Sequence, residues 1–297
     1  MKKLVFALIA LVFAAPAAAQ PQREIHPALF VVRDADSTLY IYGTVHLRRP
    51  GDPWGGPEAQ RALSGAQEVW TEIDLDSTTT QETMRVVRQL GMAPPDRPLR
   101  TWLSDEDNSK LDALCARLGI NRAALEQMQP WLVSITLEVA PMMQAGYDPS
   151  AGVDHQIDAI ADQAGARSRA FETVEQQMRF LAELSPEVQR DMLEQTIEEA
   201  EEGPAVLDET SRAWERGDLE TLERLSVADM REHYPDVYQA LLVRRNHNWI
   251  PIIQHELDGV GVDFMAVGAA HLLGPDGLVA LLRAQGYTVE RVRSSRR

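Results

Sequence analysis

Apolar and polar positions alternate through "ALFVVRDADSTLYIYG", residues 28–43, and the alternation breaks only at the polar cluster Asp34 to Ser37. β-Branched and aromatic residues on both sides of such a cluster predict a hairpin with its turn there. The Pro- and Gly-rich "LRRPGDPWGGP" that follows reads as an irregular loop. A short helix over about 57–64 and a strand in "EVWTEIDL" come next. From about residue 81 to 254 the period is mainly helical: Ser104 caps "DEDNSKLDALCARL", Pro130 opens "WLVSITLEVAPMMQAG", and "GVDHQIDAIADQAG" closes on a glycine suited to a C-terminal cap. Pro186, Pro204 and Pro235 sit where a first helical turn accepts proline. A strand, "RSRAFE", interrupts this segment, and Thr173 with Gln176 forms a capping-box pattern behind it. The C-terminal part is again strand "VDFMAVG", loop "LLGPDG", helix "LVALLRAQ" and strand "YTVERV".

A unit of strand, Gly-x-x-His, helix and strand therefore occurs twice, at Gly43 to His46 and at Gly268 to His271. Only the glycine, the histidine and the order of elements match between the copies. The pattern predicts an α/β fold: a central, mostly parallel or mixed sheet built from the N- and C-terminal units, with a large helical insertion between them. Strands joined through helices favour parallel pairing, and ligands in open α/β sheets sit beyond the strands' carboxyl ends. Both histidines fall just past such an end.

Lys2 and Lys3, the apolar run Leu4 to Ala15 and the small-residue site in "PAAAQ" describe a secretory leader over residues 1–19, cut after Ala19. The run is too short to span a bilayer, and no other stretch approaches that length, so stable membrane insertion is not expected once the leader is gone. Residues 20–297 fit one domain. The net charge of −16 becomes −18 when Lys2 and Lys3 leave with the leader, which argues against nucleic acid as a partner. Cys115 is the only cysteine; it lies on the apolar stripe of a predicted helix, as a small buried hydrophobe rather than a nucleophile. The expected setting is the periplasm or the exterior.

Glycine after a strand allows a sharp turn or a close approach, and a histidine three residues on is placed to bind a metal or move a proton. Glu72 stands in the otherwise apolar "VWTEIDL", where a carboxylate is costly unless paired or bound to a cation; Asp74, two residues on, is the other acid available. Two histidines and a carboxylate suit Zn, Mn, Fe or Co. Other motifs carry less. "HELDG" lacks the second histidine of a zincin helix, His247 and His255 have solvent-like surroundings, and no Gly-x-Ser-x-Gly or phosphate-loop pattern occurs. The acidic "EQTIEEAEEG" spreads its carboxylates around a helix and reads as a solvated face.

Taken together, "YIYGTVH", "EVWTEID", "GVDHQIDAIADQAG", "FETVEQQ", "LLVRRNHNW" and "VGAAHLLGPDGLVALLRAQGYTV" resemble the TraB/GumN family, related to the Tiki proteases, over nearly the whole mature chain. The resemblance implies the α/β fold shared with erythromycin-esterase-like and ChaN-like proteins. It also implies a metal-dependent peptidase using Mn or Co, with His46, Glu72 and His271 as ligands. Arg245 and Asn246 match the family's Arg-Asn pair, which would fix a substrate carboxylate or oxyanion and orient a ligand. Glu172 would be a second acid in the pocket or a helix-entry carboxylate; Asp154 matches the family better than His155 does. The expected function is an exported metal-dependent, peptidase-like hydrolase acting on a peptide or small extracytoplasmic substrate. The alternative is a binding protein for haem, a peptide pheromone or a polysaccharide precursor, since TraB-like proteins are associated with pheromone shutdown and GumN with an exopolysaccharide gene cluster.

Overall fold

In a computed structural model that describes residues 24–75 and 77–293, six strands among the described residues form one mixed sheet. The leader expected over residues 1–19 lies outside the described residues. The hairpin is β1 (Leu29–Arg33) against β2 (Ser37–Thr44). Its turn is set by Asp34, whose Oδ1 accepts from the backbone N–H of Asp36 at 3.1 Å and of Ser37 at 2.8 Å, a local bond that short acidic side chains form readily. The other strands are β3 (Glu68–Ile73), β4 (Arg167–Glu172), β5 (Gly261–Gly268) and β6 (Val289–Arg291).

The strand order is β4-β3-β5-β2-β1-β6. β4, β3, β5 and β2 are parallel neighbours, while β1 and β6 add an antiparallel margin. The two Gly-x-x-His units therefore interleave. β5, from the C-terminal unit, lies between β2 and β3 of the N-terminal one, and the closing strand β6 pairs antiparallel with β1 instead of parallel with its own unit. Burial of Phe264 to Gly268 explains the arrangement: a strand apolar on both faces is most stable with strands on both edges and helices above and below.

Alternate residues of β2 and β5 feed two cores. Tyr42, Phe264 and Ala266 pack with the helices Pro57–Ser64, Val153–Ala164 and Gly203–Arg216 on one face. Leu39, Ile41, Met265 and Val267 pack with Arg244–Leu257 and Leu278–Ala284 on the other. The helical segment has an apolar cluster of its own, with Leu111, Leu114, Val133 and Leu193, and it includes the buried Cys115. Ser104 accepts from the Asp107 N–H, and Thr173 and Gln176 cap reciprocally. Within the acidic run, Glu198 and Glu201 make exposed ion pairs with Lys110 and Arg117. No helix among the described residues is long and apolar enough to cross a membrane.

Candidate functional site

Because β2, β5, β3 and β4 run the same way side by side, their carboxyl ends share one edge of the sheet. Residues far apart in sequence meet there. His46 lies two residues past β2, His271 sits in the short 3-10 turn Ala269–Leu272 after β5, Glu72 is the second-last residue of β3, and Glu172 is the last of β4. His46 Nε2 is 3.9 Å and His271 Nε2 is 3.7 Å from the same atom, Glu72 Oε1. That oxygen also accepts from the backbone N–H of Gly268 at 2.7 Å.

The two motif glycines make this convergence possible, each for the opposite motif. A Cβ on Gly268 would stand 3.0 Å from Glu72 Oε1 and 3.3 Å from His46 Nε2. A Cβ on Gly43 would stand 3.1 Å from the Ala269 Cα in the other motif. A side chain at either position would push the segments apart.

His271 is buried, 3 % exposed, and its tautomer follows from its partners. Arg245 Nη1, which can only donate, lies 3.1 Å from Nε2. The proton must then be on Nδ1, where it is donated to Asn246 Oδ1 at 2.6 Å. Asn246 is oriented in turn by donating to the Asp276 carbonyl at 2.8 Å, and Trp249 packs on the ring with centroids 4.4 Å apart. Desolvation, opposed by Glu72 but reinforced by the Arg245 charge, lowers the His271 pKa to about 3. The ring is neutral, and Nε2 is its lone-pair atom.

Arg245 is 6 % exposed and bonded on several sides. Nε donates to both oxygens of Glu172, Nη1 to the Leu241 carbonyl and to His271, and Nη2 to Glu72 Oε2 at 2.6 Å, with Glu172 Oε2 at 2.9 Å. Trp249 Nε1 also donates to Glu172, at 3.0 Å. In the absence of substrate, Arg245 is paired with Glu72 and Glu172. It positions two carboxylates and one imidazole. Burial raises the Glu172 pKa despite Arg245, whereas burial of Glu72 is outweighed by His271, Arg245 and His46, which hold its carboxyl below the usual range.

His46 has opposite surroundings. More than half of its side chain is accessible, and Nδ1 lies 3.3 Å from Asp154 Oδ1. Desolvation works against its charge, but Asp154 and then Glu72 outweigh it and raise the pKa to about 9. Asp154 reaches this position because the Val153 N–H donates to the Val45 carbonyl at 3.0 Å, joining the start of one helix to the end of β2.

His46, Glu72 and Asp154 face a cavity of about 210 Å³ that Thr44 and Gln177 also line; His271, Arg245, Asn246 and Glu172 lie behind its wall. Gln177 donates to Glu72 Oε2 at 3.1 Å, and Thr44 Oγ1 is buried with no hydrogen-bond partner. His155, set aside on sequence grounds, lines the cavity but is exposed, and Asp74 lies exposed beyond the end of β3. Asp154, Trp249, Gln177 and Thr44 had no role in the sequence reading. The available signal was their place inside the quoted motifs: Asp154 in "GVDHQID", Thr44 in "YIYGTVH", Gln177 in "FETVEQQ" and Trp249 in "LLVRRNHNW".

The donors suit a divalent ion in kind: a neutral imidazole with its lone pair facing the carboxylate, an asparagine fixing its other nitrogen, and a second imidazole braced by an acid. Their separations are wider than coordination demands, since ligands about 2.1 Å from one ion lie about 3 to 3.4 Å apart. Among the described residues no group of three or more His, Cys, Asp or Glu is placed to hold a metal ion. A ligand set would need both imidazoles drawn closer to Glu72, the His46 proton lost and the Arg245 Nη1 contact moved off His271 Nε2.

The profile of the TraB/PrgY/gumN family matches residues 28–291, from the hairpin through β6. No curated relative matches the chain.

Proposed function

This chain belongs to the TraB/PrgY/gumN family, and from that premise we propose that it is an exported metal-dependent hydrolase acting on a peptide or a related amide or ester. The observation that carries the reading is the convergence of His46 Nε2 and His271 Nε2 on Glu72 Oε1, from three neighbouring parallel strands. In this reading His46, Glu72 and His271 hold the ion, Mn or Co ahead of Zn or Fe, which when bound supplies an acidified water and polarises the scissile carbonyl.

The chain's own groups then have distinct tasks. His271 needs no change of protonation. His46 gives up its proton on loading, so affinity for the ion rises with pH, and Asp154 at Nδ1 keeps Nε2 facing Glu72. Arg245 fixes Glu72, Glu172 and His271 together. The uncommitted Thr44 hydroxyl is the donor left to meet an oxygen that gains charge. Residues 1–19 carry the protein out of the cytoplasm.

One contact favours a second reading, a binding protein without turnover: Arg245 Nη1 already uses the His271 lone pair. Metal content separates the two. Protein purified without chelator, measured by mass spectrometry beside His46→Ala and His271→Ala, is expected to carry about one ion per chain and to lose it in both variants. The loaded protein should then cleave members of a peptide library. No ion after reloading with Mn and Co, with saturable ligand binding and no product, would overturn the hydrolase.

A further inference from the structure

A chain of hydrogen bonds behind the wall of the cleft links the helical segment to His271. Tyr238, 4 % exposed, ends the short helix Pro235–Tyr238. Its hydroxyl donates to Asp276 Oδ2 at 2.8 Å. Asn246 Nδ2 donates to the backbone carbonyl of the same Asp276, also at 2.8 Å, and Asn246 Oδ1 accepts the His271 Nδ1 proton at 2.6 Å. Asp276 is thus held by two side chains that lie eight residues apart on one continuous run of helix.

An uninterrupted α-helix would match Tyr238 with Arg245 instead. At 3.6 residues per turn, the seventh residue on returns to within about 20° of the first, and the eighth stands about 80° round. Between Tyr238 and Asn246, however, lies the π-turn Gln239–Val243. Its i→i+5 bonds take one more residue per turn than an α-helix does, and such turns are rare and concentrate at functional sites. The extra residue carries the rest of the helix back by about one position. Asn246 then comes to the face of Tyr238, and both reach Asp276, while Arg245 points to Glu72 and Glu172. Arg245 Nη1 also donates to the Leu241 carbonyl inside the same turn.

We propose that Tyr238 is a positioning residue for His271. By fixing Asp276 it fixes the Asn246 amide, which holds the imidazole proton on Nδ1 and leaves Nε2 facing Glu72; the π-turn supplies the register. Orientation of an imidazole through the partner of its other nitrogen is a general device of histidine sites. The tautomer belongs to the chain itself, so the assignment stands whether or not the cleft takes a metal.

The test is 15N NMR of the histidine rings on the full mature chain, with chelator present so that the outcome is independent of metal. His271 is expected to show a single tautomer, protonated on Nδ1. In Tyr238→Phe that proton should exchange with water about fivefold faster, the worth of one hydrogen bond. The Trp214 indole N–H, which donates to the Gly43 carbonyl in another part of the core, should keep its rate. Asp276→Ala should match Tyr238→Phe, the double variant should be no faster than either, and Asp276→Asn, which retains an acceptor for the hydroxyl, should stay close to the wild type. A wild-type proton on Nε2, an unchanged rate in Tyr238→Phe or an equal acceleration at Trp214 would each overturn the assignment. Additive effects in the double variant, or Asp276→Asn behaving as Asp276→Ala, would overturn it too.

Discussion

The two Gly-x-x-His segments begin from the same local design and end in opposite electrostatic states. Each follows a parallel strand, and each glycine makes room for the other segment. His46 is braced by an acid, Asp154, and its pKa is raised to about 9. His271 is braced by an amide and faced by a guanidinium, and its pKa is lowered to about 3. One carboxylate, Glu72, serves both. A motif can thus bring an imidazole to the sheet edge, while the helix docked against it decides whether that imidazole carries a proton. The buried member is rigid and neutral; the accessible member is the one that can exchange a proton with a ligand.

The largest expected break in this contrast is Arg245→Ala. It leaves Glu72 and Glu172 buried beside each other without their cation, which should cost about 3–5 kcal/mol in urea unfolding and bring the His271 pKa up. Retention of wild-type stability would mean that the guanidinium network is not formed. Next come the histidines themselves. His271→Ala empties a buried, stacked and hydrogen-bonded position and should cost about 2–4 kcal/mol. His46→Ala, at an accessible position, should stay within about 0.5 kcal/mol. Equal losses in the two variants would erase the distinction between the segments.

Stability against pH tests the same contrast from the other side. His271 has a folded pKa below its unfolded value, so the unfolded chain takes up a proton first. Its contribution is lost as the pH falls from about 6.5 toward about 3. Glu72, also depressed, stabilises the fold above the ordinary carboxylate range and stops doing so as the pH falls through and below it. His46 works in reverse: its contribution is complete below about 6.5 and is lost as the pH rises through about 9, weakened by solvent around the ring. The urea midpoint should therefore fall steeply on the acid side and only slightly on the alkaline side. A symmetric profile would contradict the assignment. The smallest effect is expected from Asp154→Asn, which should bring the His46 titration in NMR down toward its ordinary 6.5 and change stability little. An unmoved titration would show that Asp154 is not what raises His46.

Much of the architecture was legible before any coordinates. Alternation around Asp34 to Ser37 marked the hairpin, Pro57 and Pro186 marked helix starts, and Thr173 with Gln176 marked a capping box, because these features depend on neighbours within a few residues. The order of the strands was not legible. Nothing local in "VDFMAVG" says that it lies between β2 and β3, since that choice comes from burying both of its faces at once. His46, Glu72, His271, Glu172, Arg245 and Asn246 could be named from sequence as one cluster, and they do meet. Their partnerships could not be named: Arg245 pairs with Glu72 and Glu172, and Asp154 reaches His46 through the docking of Val153 on Val45.

The sequence by itself determined the two strand-Gly-x-x-His units, several helix starts, the acidic character and the residues able to do chemistry. Periodicity, capping and side-chain type act over short stretches of chain, so they can be read there. Tertiary structure alone decided which imidazole is charged, which cation is buried and which carboxylate is shared. Those outcomes depend on desolvation and on fields between groups a few ångströms apart in space but often a hundred or more residues apart in sequence.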